Sequence, residues 1–141
     1  MELFSIGFTG LFLLTFLSAT ILPVLSEAFL IGMLVQGYDP STCLVVATIG
    51  NSLGGLTNYG IGRLGNPKWI KKMGVTENKL EKYNSSILKY GSWLALLSWV
   101  PIIGDPLIVG LGFFRVSFFR VVFLLVLGKF TRYLFIVYFY L

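Results

Sequence analysis

The chain contains no histidine, a single cysteine (Cys43) and only six acidic residues among 141. Each shortage excludes a class of chemistry within one chain. Without histidine there is no Cys/His zinc site and no Ser-His-Asp triad. With one cysteine there is no intrachain disulfide. Charge of either sign is scarce: 12% of residues are charged, where a soluble domain carries about 25%. At 56% hydrophobic residues and a mean hydropathy of +0.85, the chain has too little polar surface to face water alone. It reads as an all-α integral membrane protein, long enough for one domain.

Against that background two acids stand out. Glu27 and Asp105 each sit inside an apolar stretch, within one repeated pattern: Pro, three residues, an acid, four residues, Gly. The copies run from Pro23 through Glu27 to Gly32, and from Pro101 through Asp105 to Gly110. A carboxylate in a bilayer core costs roughly 2.5–3.5 kcal/mol on insertion scales. A proline beside it frees a backbone carbonyl and bends the helix. The same break in matching places points to internal duplication, with the working site at the two breaks.

Four apolar stretches follow: Leu3 to Val35, Ser41 to Ile61, Gly91 to Phe114 and Val116 to Leu141. A spanning helix needs about 20 such residues. The first stretch is too long for one perpendicular span and too short for two. It predicts a helix over Leu3–Leu22, a break, and a short return helix to Gln36, as in a re-entrant hairpin. A return helix of about ten residues covers only about 15 Å. No basic n-region opens the chain, so the first segment is expected to stay in the mature protein. Gly37 to Ser41 reads as a turn, with Asp39 or Ser41 capping the next helix. That helix is rich in small residues, and Asn51 and Asn58, seven apart, share an inward face. In the third stretch Gly104, Asp105 and Pro106 prevent a smooth helix. The fourth carries Lys129 and Arg132 three apart, beside Gly128; buried cations at that spacing want an anionic partner. The aromatics fit lipid-facing surfaces and interfacial belts, with Tyr133, Tyr138 and Tyr140 as an anchor.

The net charge of +5 lies in one loop. Arg63, Lys68, Lys71, Lys72, Lys79, Lys82 and Lys89 face only Glu77 and Glu81 there. The positive-inside rule makes this loop cytoplasmic, facing anionic headgroups rather than nucleic acid. From the cap candidate Thr76 onward it predicts an amphipathic surface helix. The expected layout is a single membrane domain over 1–141. Residues 1–62 form a first repeat, 63–90 the basic loop and 91–141 a second repeat. Each repeat is a Pro-broken, re-entrant hairpin followed by a span, and the two are inverted relative to each other.

Four sequence motifs then carry a resemblance. They are Phe16 to Pro23 with Ser26-Glu27, Gly50 to Asn58 with Gly62-Arg63, Leu97 to Pro101 with Gly104-Asp105, and Gly128-Lys129 with Arg132-Tyr133. In this order the chain resembles the YqaA-type small inner-membrane proteins of the DedA superfamily, also called SNARE-associated-Golgi-like or VTT-domain proteins. The resemblance implies a bacterial inner-membrane protein with two facing re-entrant hairpins and a link to lipid translocation. The wider superfamily often carries an earlier Glu near the first break, and arginines flanking the second proline. Here those places are Ser18, Ser98 and Gly104. Arginine is the natural clamp for a phosphate headgroup, so the expected substrate is left broad.

The expected substrate or ion site is Glu27, Asp105, Lys129, Arg132 and Asn51, with helix breaks at Pro23, Pro101, Gly104 and Pro106. The acids have two readings. They form a protonatable or cation-binding pair, or they cap half-helices and close salt bridges to Lys129 and Arg132. Arg115 and Arg120 flank the last span. The function expected first is translocation of lipid or a small anionic substrate, coupled to protons or a cation, with no cofactor and no metal. Its rival is a non-transporting scaffold. A membrane enzyme ranks last, because no nucleophile and no phosphate loop accompany the acids. Membrane lipids are the expected partners, and a homodimer would complete a small pathway wall.

Overall fold

The computed structural model describes residues 2–20, 25–72, 75–100 and 104–139. Pro23 and Pro101 lie outside the described residues. Those described form helices and turns, with no strand. In chain order they are α1 (Glu2–Thr20), α2 (Leu25–Val35), α3 (Pro40–Leu64), α4 (Pro67–Lys72), α5 (Glu77–Tyr90), a 3₁₀ helix (Gly91–Trp99), α6 (Gly104–Phe113) and α7 (Phe118–Phe139).

The expected elements are present, with two differences in the second half. Nine residues, Gly91–Trp99, wind as a 3₁₀ helix, where such runs seldom pass three or four. Gly104 and Pro106 are the first and third residues of α6. Proline is tolerated in a first helical turn, where its missing N–H has no partner to lose. The two residues therefore start α6. Asp39 caps α3, accepting from Thr42 N at 3.1 Å and Thr42 Oγ1 at 2.6 Å. These bonds hold its carboxyl below the usual range. Thr76 caps α5 by accepting from Lys79 N at 3.3 Å.

The centre of the fold is α3, which packs on α1, α6 and α7. Its 25 residues reach about 37 Å. Glycines let the backbones approach. A Cβ on Gly62 would overlap the Val109 carbonyl of α6, and one on Gly112 would overlap the Tyr59 carbonyl of α3. On the opposite side Gly50 seats against the Thr15 hydroxyl and Phe12 carbonyl of α1. The small residues thus close contacts within one chain. Helix α7 runs antiparallel to α3. Gly55 faces Leu125, Tyr59 packs edge-on to Phe118 at 5.6 Å, and Cys43, Leu44 and Ala47 cluster with Tyr133 and Val137. The outward face of α7 carries Phe119, Phe123, Phe135 and Tyr138, all exposed. Among the described residues, Phe118–Phe139 is the one helix long and apolar enough to cross a membrane. The polar side chains of α3 dilute its own hydropathy.

The basic loop folds back onto α6. Ile70, Val75 and Val109 form a small buried cluster, and Tyr83 lies over Gly110. Helix α5 is amphipathic, as expected from Thr76 onward, with Leu80, Tyr83 and Ile87 packed inward and its charged residues exposed.

Because Gly62 and Gly112 meet backbone rather than a flexible side chain, neither can gain a methyl group without moving a helix. Gly62→Ala and Gly112→Ala should each cost about 1–3 kcal/mol by overpacking, read as a lower Tm in detergent. Gly60→Ala, whose Cβ would meet open space, should melt no earlier than wild type. If Gly62→Ala also melted with wild type, the α3–α6 seam would not exist.

Candidate functional site

Two carboxylates from different ends of the chain converge on one helix. Asp105, in the first turn of α6, accepts from Lys129 Nζ at 2.8 Å. Glu27, in the first turn of α2, accepts from Arg132 Nε at 2.9 Å and also from its Nη2. The three-residue spacing on α7 places both cations on neighbouring faces. Lys129 is fully buried, while Asp105 and Arg132 are each less than a tenth exposed. The Glu27 side chain is 30% exposed, which makes it the wetter of the two acids. An isolated charge is intolerable in such surroundings, so each ion depends on its partner.

The antiparallel register identifies what lies opposite. Gly55 meets Leu125, and Ala47 clusters with Tyr133. Thr48 and Ser52, between them on α3, therefore sit level with Arg132 and Lys129. Both residues are buried, yet Thr48 Oγ1 and Ser52 Oγ have no hydrogen-bond partner. Orphaned hydroxyls are uncommon in a finished core, where nearly every buried polar group is satisfied. Asn51 donates from Nδ2 to the Thr15 carbonyl at 2.7 Å, tying α3 to α1. It does not contact either ion pair through this bond. Asn58 is buried as well, so the shared inward face holds.

One residue that sequence reasoning placed elsewhere belongs to this cluster. Tyr133, expected in an interfacial anchor, is instead fully buried, and its hydroxyl lies 3.1 Å from Ser26 Oγ. Spacing could have revealed it, since Tyr133 lies one turn beyond Lys129 and follows Arg132. Its ring also lies beneath Arg132, whose guanidinium carbon is 5.5 Å from the ring centre. Ser98, a position of arginine in the wider superfamily, donates to the Leu125 carbonyl at 3.2 Å. Its hydroxyl would also meet a Cβ on Gly128 at 2.7 Å. A Cβ on Gly104 would come within 2.8 Å of the Leu97 carbonyl and Ser98 Cα. A side chain at Gly104 would therefore overlap backbone, and Ser98 is fully buried.

The sequence has recognisable relatives. Residues 22–140 match the profile of the VTT domain, a range that holds both acids and both cations. The chain belongs to the VTT-domain family. It is 42% identical over 125 residues to the inner membrane protein YqaA of Escherichia coli K12, covering 88% of this chain and 84% of that protein. The protein of the same name from Shigella flexneri matches to the same extent. An uncharacterised protein of Haemophilus influenzae is 34% identical over 131 residues, covering 87% and 80%. No solved structure matches. The chain is a membrane protein of the DedA superfamily. No group of three or more His, Cys, Asp or Glu placed to hold a metal occurs among the described residues.

Removing one member of a buried pair strands the other. Lys129→Met should destabilise the protein by roughly 3–5 kcal/mol, and Lys129→Met with Asp105→Leu should recover most of that loss. Unfolding of purified protein in detergent measures both. A Lys129→Met single variant as stable as wild type would contradict the pairing. Breaking the Glu27–Arg132 pair should cost less, because Glu27 retains solvent.

Proposed function

We propose that this protein translocates a lipid or small anionic substrate across the bacterial inner membrane, through a polar seam between α3 and α7. The observation that carries the reading is the convergence of both acids on Lys129 and Arg132, level with the orphaned hydroxyls of Thr48 and Ser52. Cations at this depth can attract an anionic headgroup, but only when their carboxylates let go. Proton uptake at Asp105 or Glu27 supplies that release: a neutral carboxyl no longer holds the cation, and the incoming anion replaces it. Outward passage of the anion restores the ion pair and returns the proton. Charged groups thus exchange partners without being left bare. Asn51 lines the neighbouring α1–α3 contact.

The same reading makes the protein two inverted repeats, 1–62 and 91–141, each a re-entrant hairpin followed by a span. A constant offset of 78 residues supports it: Pro23 with Pro101, Glu27 with Asp105, Gly32 with Gly110, Gly50 with Gly128, and Asn51 with Lys129. Gly50 and Gly128 also seat alike, each against a hydroxyl and a carbonyl from the first arm of its own half. The half-helices α2 and α6 hold 11 and 10 residues, about half a bilayer core in length. Loop 63–90 then faces the cytoplasm, and a homodimer supplies the remaining wall of the path.

One observation favours the scaffold reading: both ion pairs are closed, as a purely structural role requires. A lipid-flip assay separates the two. Proteoliposomes carrying a trace of fluorescent phospholipid receive an impermeant quencher outside. Quenching well beyond half is expected for the wild type, falling back to half in Glu27→Gln/Asp105→Asn protein shown to be folded. Undiminished flip in that variant would remove the acids from the mechanism. Quenching that stops at half for the wild type, with anionic lipids as well, would favour the scaffold.

A further inference from the structure

The two arginines at the loop end of the bundle are used by neither ion pair. Arg63 lies in the last turn of α3, and Arg115 in the turn between α6 and α7. Both line one open groove of about 690 Å³, together with Thr57, Gly60, Ile61 and Leu64. Their relative position is fixed from within. Tyr59, buried beside them, donates its hydroxyl to the Val116 carbonyl at 2.5 Å, and Arg63 Nη1 reaches the same hydroxyl at 3.4 Å. Neither arginine forms a salt bridge with an acid among the described residues.

Arg115 occupies a backbone position that ordinarily selects glycine. Its φ is 55°, and it is the non-glycine residue with positive φ among those described. Arg115 N bonds to the Gly112 carbonyl and Val116 N to the Leu111 carbonyl, each at 3.0 Å. That is the helix-ending motif whose left-handed residue is usually glycine. The fold of the turn does not call for arginine there, so the side chain itself is what the position supplies.

We propose that Arg63 and Arg115 form a phosphate-ester site, taking the headgroup of an anionic membrane lipid at the loop end of the bundle. Paired guanidiniums match phosphate oxygens in geometry and charge. The end of α3 presents about half a negative charge from its carbonyls, which two full positive charges outweigh. The groove also opens onto a lipid-facing stripe. Val45, Ile49, Leu53 and Thr57 recur every fourth residue along α3, all exposed, and lead down to Leu64. An acyl chain lies along that stripe while its phosphate rests between the arginines. The site is separate from the ion-pair level: Arg63 is eleven residues beyond Ser52, or about 16 Å along the helix. It therefore stands whether or not the protein transports.

Binding to the purified full chain in neutral detergent tests this, with phosphatidic acid, phosphatidylcholine and inorganic phosphate as separate probes. Phosphatidic acid should bind the wild type and weaken about tenfold or more in Arg115→Gly and in Arg63→Gln, a hydrogen-bonded charge contact being lost in each. Arg115→Gly suits the backbone, so its Tm should equal or exceed wild type, and its lost binding cannot be blamed on misfolding. Lys71→Gln/Lys72→Gln removes twice the charge of either arginine variant, from α4, and should bind normally. Displacement of the lipid by inorganic phosphate would identify a free anion as a second source of the same chemistry, and no displacement would leave the lipid as the ligand. Wild-type affinity in Arg115→Gly, equal loss in the lysine variant, or no binding of either phosphate probe would overturn the site.

Discussion

The charge of Lys129 is the constraint from which much of this structure follows. A fully buried ammonium is unstable alone, and in an apolar layer no water compensates it. Asp105 must therefore stand at the start of α6, within 2.8 Å. That requirement fixes where α6 begins and how deep it sits. Arg132, one turn along, makes the same demand of Glu27 and so fixes α2. One helix thus dictates the placement of two short helices from distant parts of the sequence. Its own position is set by α3, whose Gly55 admits Leu125.

The second constraint is backbone proximity. Without a hydrophobic drive between helices, association in lipid rests on close packing. The glycines of α3 and α6 bring main chains into direct contact along the seam, and bulk is confined to the outside. There Phe119, Phe123 and Phe135 face outward. The polar residues of α3 follow the same division, with Asn51 and Asn58 turned inward and Val45, Ile49 and Leu53 turned out.

Much of this was legible in the sequence because it rests on local rules. The duplicated Pro–acid–Gly pattern marked two short helices, and Lys129 and Arg132, three apart, called for an anionic partner, with acids and a headgroup both open. Thr76 was legible as a cap, and Asp39 as one of two candidates beside Ser41. The failures came where tertiary contact decides. Tyr133 near a helix end resembles an interfacial anchor until Ser26 is brought beneath its hydroxyl. The 3₁₀ form of Gly91–Trp99 has no signature in hydropathy, since the same apolar run suits an α-helix. The level of Thr48 and Ser52 relative to the cations emerged only from interhelical register. Membership of the VTT-domain family was readable from the four motifs, and the relatives bear it out.

That 3₁₀ segment has a consequence for the reach of the chain. Its nine residues, rising about 2.0 Å each, extend about 18 Å. An α-helix would need about twelve residues to go as far. Gly91–Trp99 therefore covers its length as a drawn-out thread, where α1 uses the full coil of an α-helix. The thread is anchored near its far end by Ser98 on the Leu125 carbonyl and backed by Gly128. Rewound as an α-helix it would be about 4–5 Å shorter and would turn its later side chains to new directions. Gly91–Trp99 thus spans more length per residue than any α-helix among the described residues.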